Sequence, residues 1–92
     1  MSKDSDRARF MLRIGSDYPY DSTDEWQEHF SGSRLPPPAV DWAHAAARGV
    51  IAELSDRRGI KHGFNRVDEE VRLNIVESIA SIIREAKNQD ST

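Results

Sequence analysis

The stretch AVDWAHAAARGVIAELSDRRGIKHGFNRVDEEVRLNIVESIASIIREA, residues 39–86, decides the fold. Its second half carries Val71, Ile75, Ile79, Ile82, Ile83 and Ala86 at three- and four-residue steps, the period of a helix lying on a core. Leu73, Val76 and Ala80 widen that apolar sector towards half the circumference, with Arg72 set inside it, so one partner helix cannot cover it and a second contact is expected. The first half places Val40, Ala43, Ala47, Val50, Ile51 and Leu54 on one face. Asp41, His44, Arg48 and Ser55 lie on a polar flank. Trp42, Ala46 and Gly49 form a third side, a large ring beside small residues. A glycine in mid-helix costs about 1 kcal/mol relative to alanine, which implies that something approaches the helix closely there. The expected fold is all-α: a long helical hairpin (helix A over 39–58, helix B over 67–86), with the Ile75, Ile79, Ile82, Val50, Ile51 and Leu54 side chains as its buried seam.

The ends of the hairpin helices are marked. Pro36, Pro37 and Pro38 can open a helix but cannot continue one. Gly59 suits the left-handed residue past the last turn of helix A, with Ile60 returning to Leu54. Asn65 or Asp68 can cap helix B, and Asp68, Glu69 and Glu70 sit where the helix dipole favours negative charge.

Upstream, residues 1–6 and 87–92 are polar and read as disordered tails, leaving 7–86 as a single small domain. Within its N-terminal arm, 7–33, Phe10, Leu12 and Ile14 alternate as in a strand, yet no pairing partner exists, and Gly15 closes a stretch that fits a short helix. Ser22 and Glu25 form a capping box ahead of a short acidic helix that presents Trp26 and Phe30. Residues 34–38 are a proline linker. The arm and the short helix are expected to pack across the hairpin.

Ninety-two residues, 37% of them hydrophobic, with a mean hydropathy of −0.72, permit one modest core. No apolar run is long enough for a membrane span and no hydrophobic region follows the charged start, so the expected location is cytoplasmic, without membrane contact. The absence of cysteine excludes disulfides, thiolate metal sites and a cysteine nucleophile. Net charge is −3, with the signs segregated: residues 14–33 hold five acids and no Lys or Arg, while 34–66 hold six basic residues against three acids. Such blocks point to contacts between blocks or with a partner.

Chemistry is harder to find. His29, His44 and His62 stand in no metal-binding frame, and Asp41 with His44, which share a helix face, read as a surface ion pair. Ser22, Asp24 and His29 are too close in sequence to converge as a triad. Gly59 and Gly63 lack the spacing of a phosphate loop and precede three acids that would repel an anion. No catalytic residue, metal site or cofactor is indicated. Tyr18, Tyr20, Trp26 and Phe30 lie in an acidic segment, which favours covering the hairpin over stacking on bases.

Two surfaces remain. Trp42, Ala46, Gly49, Leu73, Val76, Ala80, Trp26 and Phe30 are the apolar residues left for protein interaction. Arg57, Arg58, Lys61, His62 and Arg66 form one basic turn that could meet an anion or nucleic acid, although pairing with the acidic block from Asp17 to Glu28 is the favoured reading. The expected function is a non-enzymatic interaction module of accessory or inhibitor type. It would self-associate as a homodimer or higher oligomer and contact a larger protein. Nucleic-acid binding through the basic turn is the alternative.

Overall fold

A computed structural model describes residues 3–28, 35–57, 63–64 and 67–90 of the chain. The described residues form four helices and no strand: α1 (Lys3–Asp17), α2 (Asp24–Glu28), α3 (Trp42–Ser55) and α4 (Glu69–Asp90). The all-α class expected from the sequence is the class observed. Helix α3 lies in the middle, with α1 against one side and α4 against another.

The seam between α3 and α4 is made from small side chains. Ala43, Ala47 and Ile51 meet Val76 and Ala80, all nearly or fully buried, with Tyr20, Ile75, Ile79 and Ile83 packed around them. This corrects the expected seam. Val50 is 42% and Ile82 68% exposed, whereas Val76 and Ala80 are wholly buried. At about 100° per residue, α4 is turned by roughly a quarter of its circumference from the face its isoleucines suggest. Small residues on both helices allow close contact. Arg72, on the same buried side, is thereby brought to the loop that precedes α2.

Arg72 explains why a cation lies in the core. Its guanidinium is 6% exposed overall and donates to the carbonyls of Tyr20 (3.0 Å), Val67 (2.8 Å) and Ser22 (3.1 Å) and to Asp24 Oδ1 (2.6 Å). Arg48 does the same from α3, donating to Asp21 Oδ1 at 2.8 Å and to the Pro37 carbonyl at 3.0 Å. A buried charge is tolerated when paired and hydrogen-bonded. These two arginines therefore fasten residues 20–24 and the proline segment onto the hairpin, and two acids of the acidic block, Asp21 and Asp24, are paired from within the core.

The N-terminal element is longer than a short arm. Helix α1 starts inside the expected tail and runs through Gly15, which the sequence suggested as its stop. Gly15 stays helical because it is a contact residue: a Cβ there would lie 2.6 Å from the backbone carbon of Arg48 and 2.8 Å from the nitrogen of Gly49. Gly49 faces back onto Leu12. The two glycines let α1 and α3 touch backbone to backbone, the close approach that mid-helix Gly49 implied. Arg7 then joins the helices at their far ends, donating to Glu53 and Asp56 at 2.8 Å each.

The remaining boundaries shift for capping reasons. Helix α3 begins at Trp42, three residues after the expected start, because Asp41 is its N-cap and its carboxylate accepts from the His44 N–H. It ends at Ser55 with Asp56 as C-cap, so the proposed Gly59–Ile60 stop lies outside the described residues. Asn65, the other cap considered for α4, also lies outside them; the helix follows Asp68, whose carbonyl accepts from the Arg72 N–H. Its last turn reaches Asp90, beyond the expected start of a C-terminal tail at residue 87. At α2 the cap is Thr23, whose hydroxyl accepts from the Trp26 N–H at 3.1 Å, in place of Ser22. Ser22 is instead buried, its hydroxyl donating to the Pro19 carbonyl at 2.7 Å.

Candidate interaction face

The α3–α4 seam has two flanks of opposite character. On one flank, His44 is 7% exposed and stands between two carboxylates: Nδ1 lies 2.7 Å from Asp41 Oδ1 and Nε2 lies 2.7 Å from Glu77 Oε2. Arg84 adds a hydrogen bond to the other oxygen of Asp41. The hydrogen bond to Asp41 raises the His44 pKa, the Glu77 bond adds to it, and burial opposes both. Asp41 is held down to about 2, first by the His44 side chain and then by the His44 backbone N–H. As an imidazolium, His44 donates from both nitrogens and has no lone pair left to accept a proton. The arrangement is a clasp between the start of α3 and the middle of α4. It contains the expected Asp41–His44 pair and extends it, because Glu77 arrives from α4 as a second carboxylate and the imidazole is buried between them.

The other flank is uncharged. On α4, Val71, Ile75, Ile79, Ile82 and Ala86 fall within about 80° of arc. On α3, Ala46 and Val50 occupy the matching side, since His44 and Glu77 mark the opposite one. No Asp, Glu, Lys or Arg falls in either arc. Val71 is 47% exposed, and with Val50 and Ile82 it leaves a row of branched aliphatic side chains in water.

Several residues expected to meet a partner are consumed inside the chain. Val76 and Ala80 form the core, Gly49 lies under Leu12, and Trp26 is the buried residue of α2. Trp42 is half exposed, with the Lys87 ammonium 4.6 Å from its ring centre. Ala46 is half-buried and borders the apolar flank. Leu73 is exposed but points from the other side of α4, near Glu77. Phe30 lies outside the described residues. The sequence reading therefore missed Val50, Val71 and Ile82 as surface residues. Their signal was the excess width of the apolar sector, which fitted either orientation of α4.

Of the basic turn, Arg57 is hydrogen-bonded to Glu53 one helical turn earlier. Arg58, Lys61, His62 and Arg66 lie outside the described residues. Phe64 within that turn accepts the Tyr20 hydroxyl at 3.0 Å and meets the Tyr20 ring edge-on at 5.5 Å. Among the described residues no group of three or more His, Asp or Glu side chains is arranged to hold a metal ion. No helix among them is long and apolar enough to cross a membrane. Comparisons of the chain with protein-family models, curated proteins and solved structures find no match.

Proposed function

We propose that the protein is a non-enzymatic interaction module of accessory or inhibitor type that self-associates through the uncharged flank of its α3–α4 hairpin. The observation that carries this reading is the exposure of Ile82, Val71 and Val50 along a strip with no charged residue in it. Contiguous apolar surface rimmed by polar residues marks an interaction site. A strip lacking charge gives no electrostatic preference for a different partner and suits an isologous pairing with its own copy, in which each helix presents the same residues to the other. From Val71 to Ile82 the strip runs about 16 Å along α4, enough for the central contacts of a small two-fold interface. Contact with a larger protein would then involve surfaces outside the dimer seam.

Because the native chain has no cysteine, single thiols report the pairing directly. Ile82→Cys is expected to oxidise to a covalent dimer at micromolar concentration, while Leu73→Cys, half exposed on the far side of α4, stays monomeric under the same conditions. Equal crosslinking of both, or of neither, would remove the reading.

A further inference from the structure

A cleft of about 480 Å³ opens between α1, α3 and the segment leading into α2, on the side of α3 turned away from the uncharged flank. Phe10, Met11, Ile14, Tyr18, Trp26 and Ala52 supply its apolar walls. Its volume is that of a ligand site. Four of its polar side chains, however, are already engaged within the chain. Arg48 is held by Asp21 and Pro37, Gln27 donates to the Tyr20 carbonyl and the Ser22 hydroxyl, Tyr20 donates to the Phe64 carbonyl, and Asp56 is held by Arg7. An apolar side chain would find a shaped, largely aromatic hollow.

A second hollow, about 280 Å³, lies across Trp26 and is bounded by Thr23, Glu25, Leu35 and Pro37. The indole is the shared wall. Charge separates the two sides. On α1, Arg7 pairs with Glu53 and Asp56, Arg9 with Asp6, and Arg13 with Asp17; on α3, His44, Arg48 and Glu53 are all paired. On α2, Asp24 pairs with Arg72, which leaves Glu25 and Glu28 exposed and without an ion pair to any other described residue. The groove therefore presents one apolar hollow with neutralised walls, and beside it a hollow edged by the Glu25 carboxylate, which no described cation compensates.

We propose that this groove receives an extended segment of a partner protein that places a large apolar side chain between α1 and α3 and a Lys or Arg beside Glu25. In an extended chain, side chains two residues apart share a face and stand about 6–7 Å apart, a step that carries the segment across the edge of the Trp26 ring. Apolar pockets for alternate side chains with a charged neighbour are a recurrent mode of peptide recognition. The site is independent of the dimer seam, because Ala52 and Val50 project from nearly opposite sides of α3.

The test uses the full chain, isotopically labelled for NMR, and three acetylated Gly/Ser decapeptides with Phe-Ser-Lys, Phe-Ser-Glu or Ala-Ser-Lys at the centre. The Phe-Ser-Lys peptide is expected to shift the Phe10, Ile14 and Ala52 amides and the Trp26 indole at millimolar concentration. Replacing Lys by Glu should weaken it by about tenfold, and replacing Phe by Ala should abolish it. Glu25→Lys, an exposed substitution, should invert the Lys-over-Glu preference, while Ile82→Asp should leave binding unchanged. Absence of shifts, equal response to the Lys and Glu peptides, or shifts confined to Val71–Ile82 would overturn the assignment.

Discussion

The two flanks of the one seam between α3 and α4 close in different ways. On the His44 side, four charged groups from both helices engage each other, and the flank is finished within the chain. On the Val50 side, aliphatic residues continue outward, with no charged residue among the described positions of the strip. A polar clasp with its hydrogen bonds satisfied asks for no partner, whereas an aliphatic flank left in water gains free energy from any surface that covers it, at about 25 cal/mol per Å² of apolar area removed from solvent. The difference gives one flank to folding and leaves the other as the surface proposed for association.

Substitutions graded across the seam break or sharpen that contrast. The centre should be the most sensitive position on either side. Ile51→Ala, at a residue 2% exposed, is expected to lower unfolding free energy by about 2–5 kcal/mol in urea titration. Loss below about 1 kcal/mol would mean that the seam is elsewhere.

Next comes the glycine contact that sets α1 on α3. Gly15→Ala must push backbone from backbone, so a loss of about 1–3 kcal/mol is expected despite the better helix propensity of alanine. A stabilised Gly15→Ala variant would show that α1 and α3 are not in close contact.

The clasp makes a smaller contribution and gives it a pH signature. His44 has a raised pKa, so the stability it contributes is fully present below its unfolded value of 6.5 and is lost as pH rises through the higher folded value. Asp41 has a lowered pKa, so its contribution is present above its unfolded value of 3.8 and is lost as pH falls towards about 2. The contribution of the clasp should therefore be flat between those limits and fall outside them. His44→Asn should remove the alkaline fall, and an unchanged profile in that variant would dissolve the clasp.

The smallest folding effect belongs to the open flank. Ile82→Ser should change monomer stability by no more than about 0.5 kcal/mol, as for an ordinary surface position. If it were as damaging as Ile51→Ala, the orientation of α4 would be the one its isoleucines suggest.

Much of this architecture was legible in the residues. The periodicity of 39–86 gave two helices, the mid-helix Gly49 announced a close neighbour, and the excess apolar width of the second helix announced a surface left over. The orientation of α4 was not legible, because hydrophobicity alone ranks Ile75 and Ile82 above Ala80 and treats Arg72 as an intruder. It is the arginine, hydrogen-bonded to three carbonyls and Asp24, that lies on the buried side, and those partners are 5 to 52 residues away along the chain. His44 was likewise read as a surface residue because Glu77, its second partner, lies 33 positions on. The groove around Trp26 was illegible for the same reason: its walls come from α1, α3 and the loop between them, and only the fold brings them together.

The central claim, that the uncharged flank is a self-association surface, is tested most directly by the mass of the chain in solution. Sedimentation equilibrium of the wild type at micromolar concentration should give twice the 10.4 kDa chain mass, and Ile82→Asp, with its helical circular dichroism retained, should give the chain mass alone. A wild-type mass of 10.4 kDa that stays constant as the concentration is raised would contradict the claim.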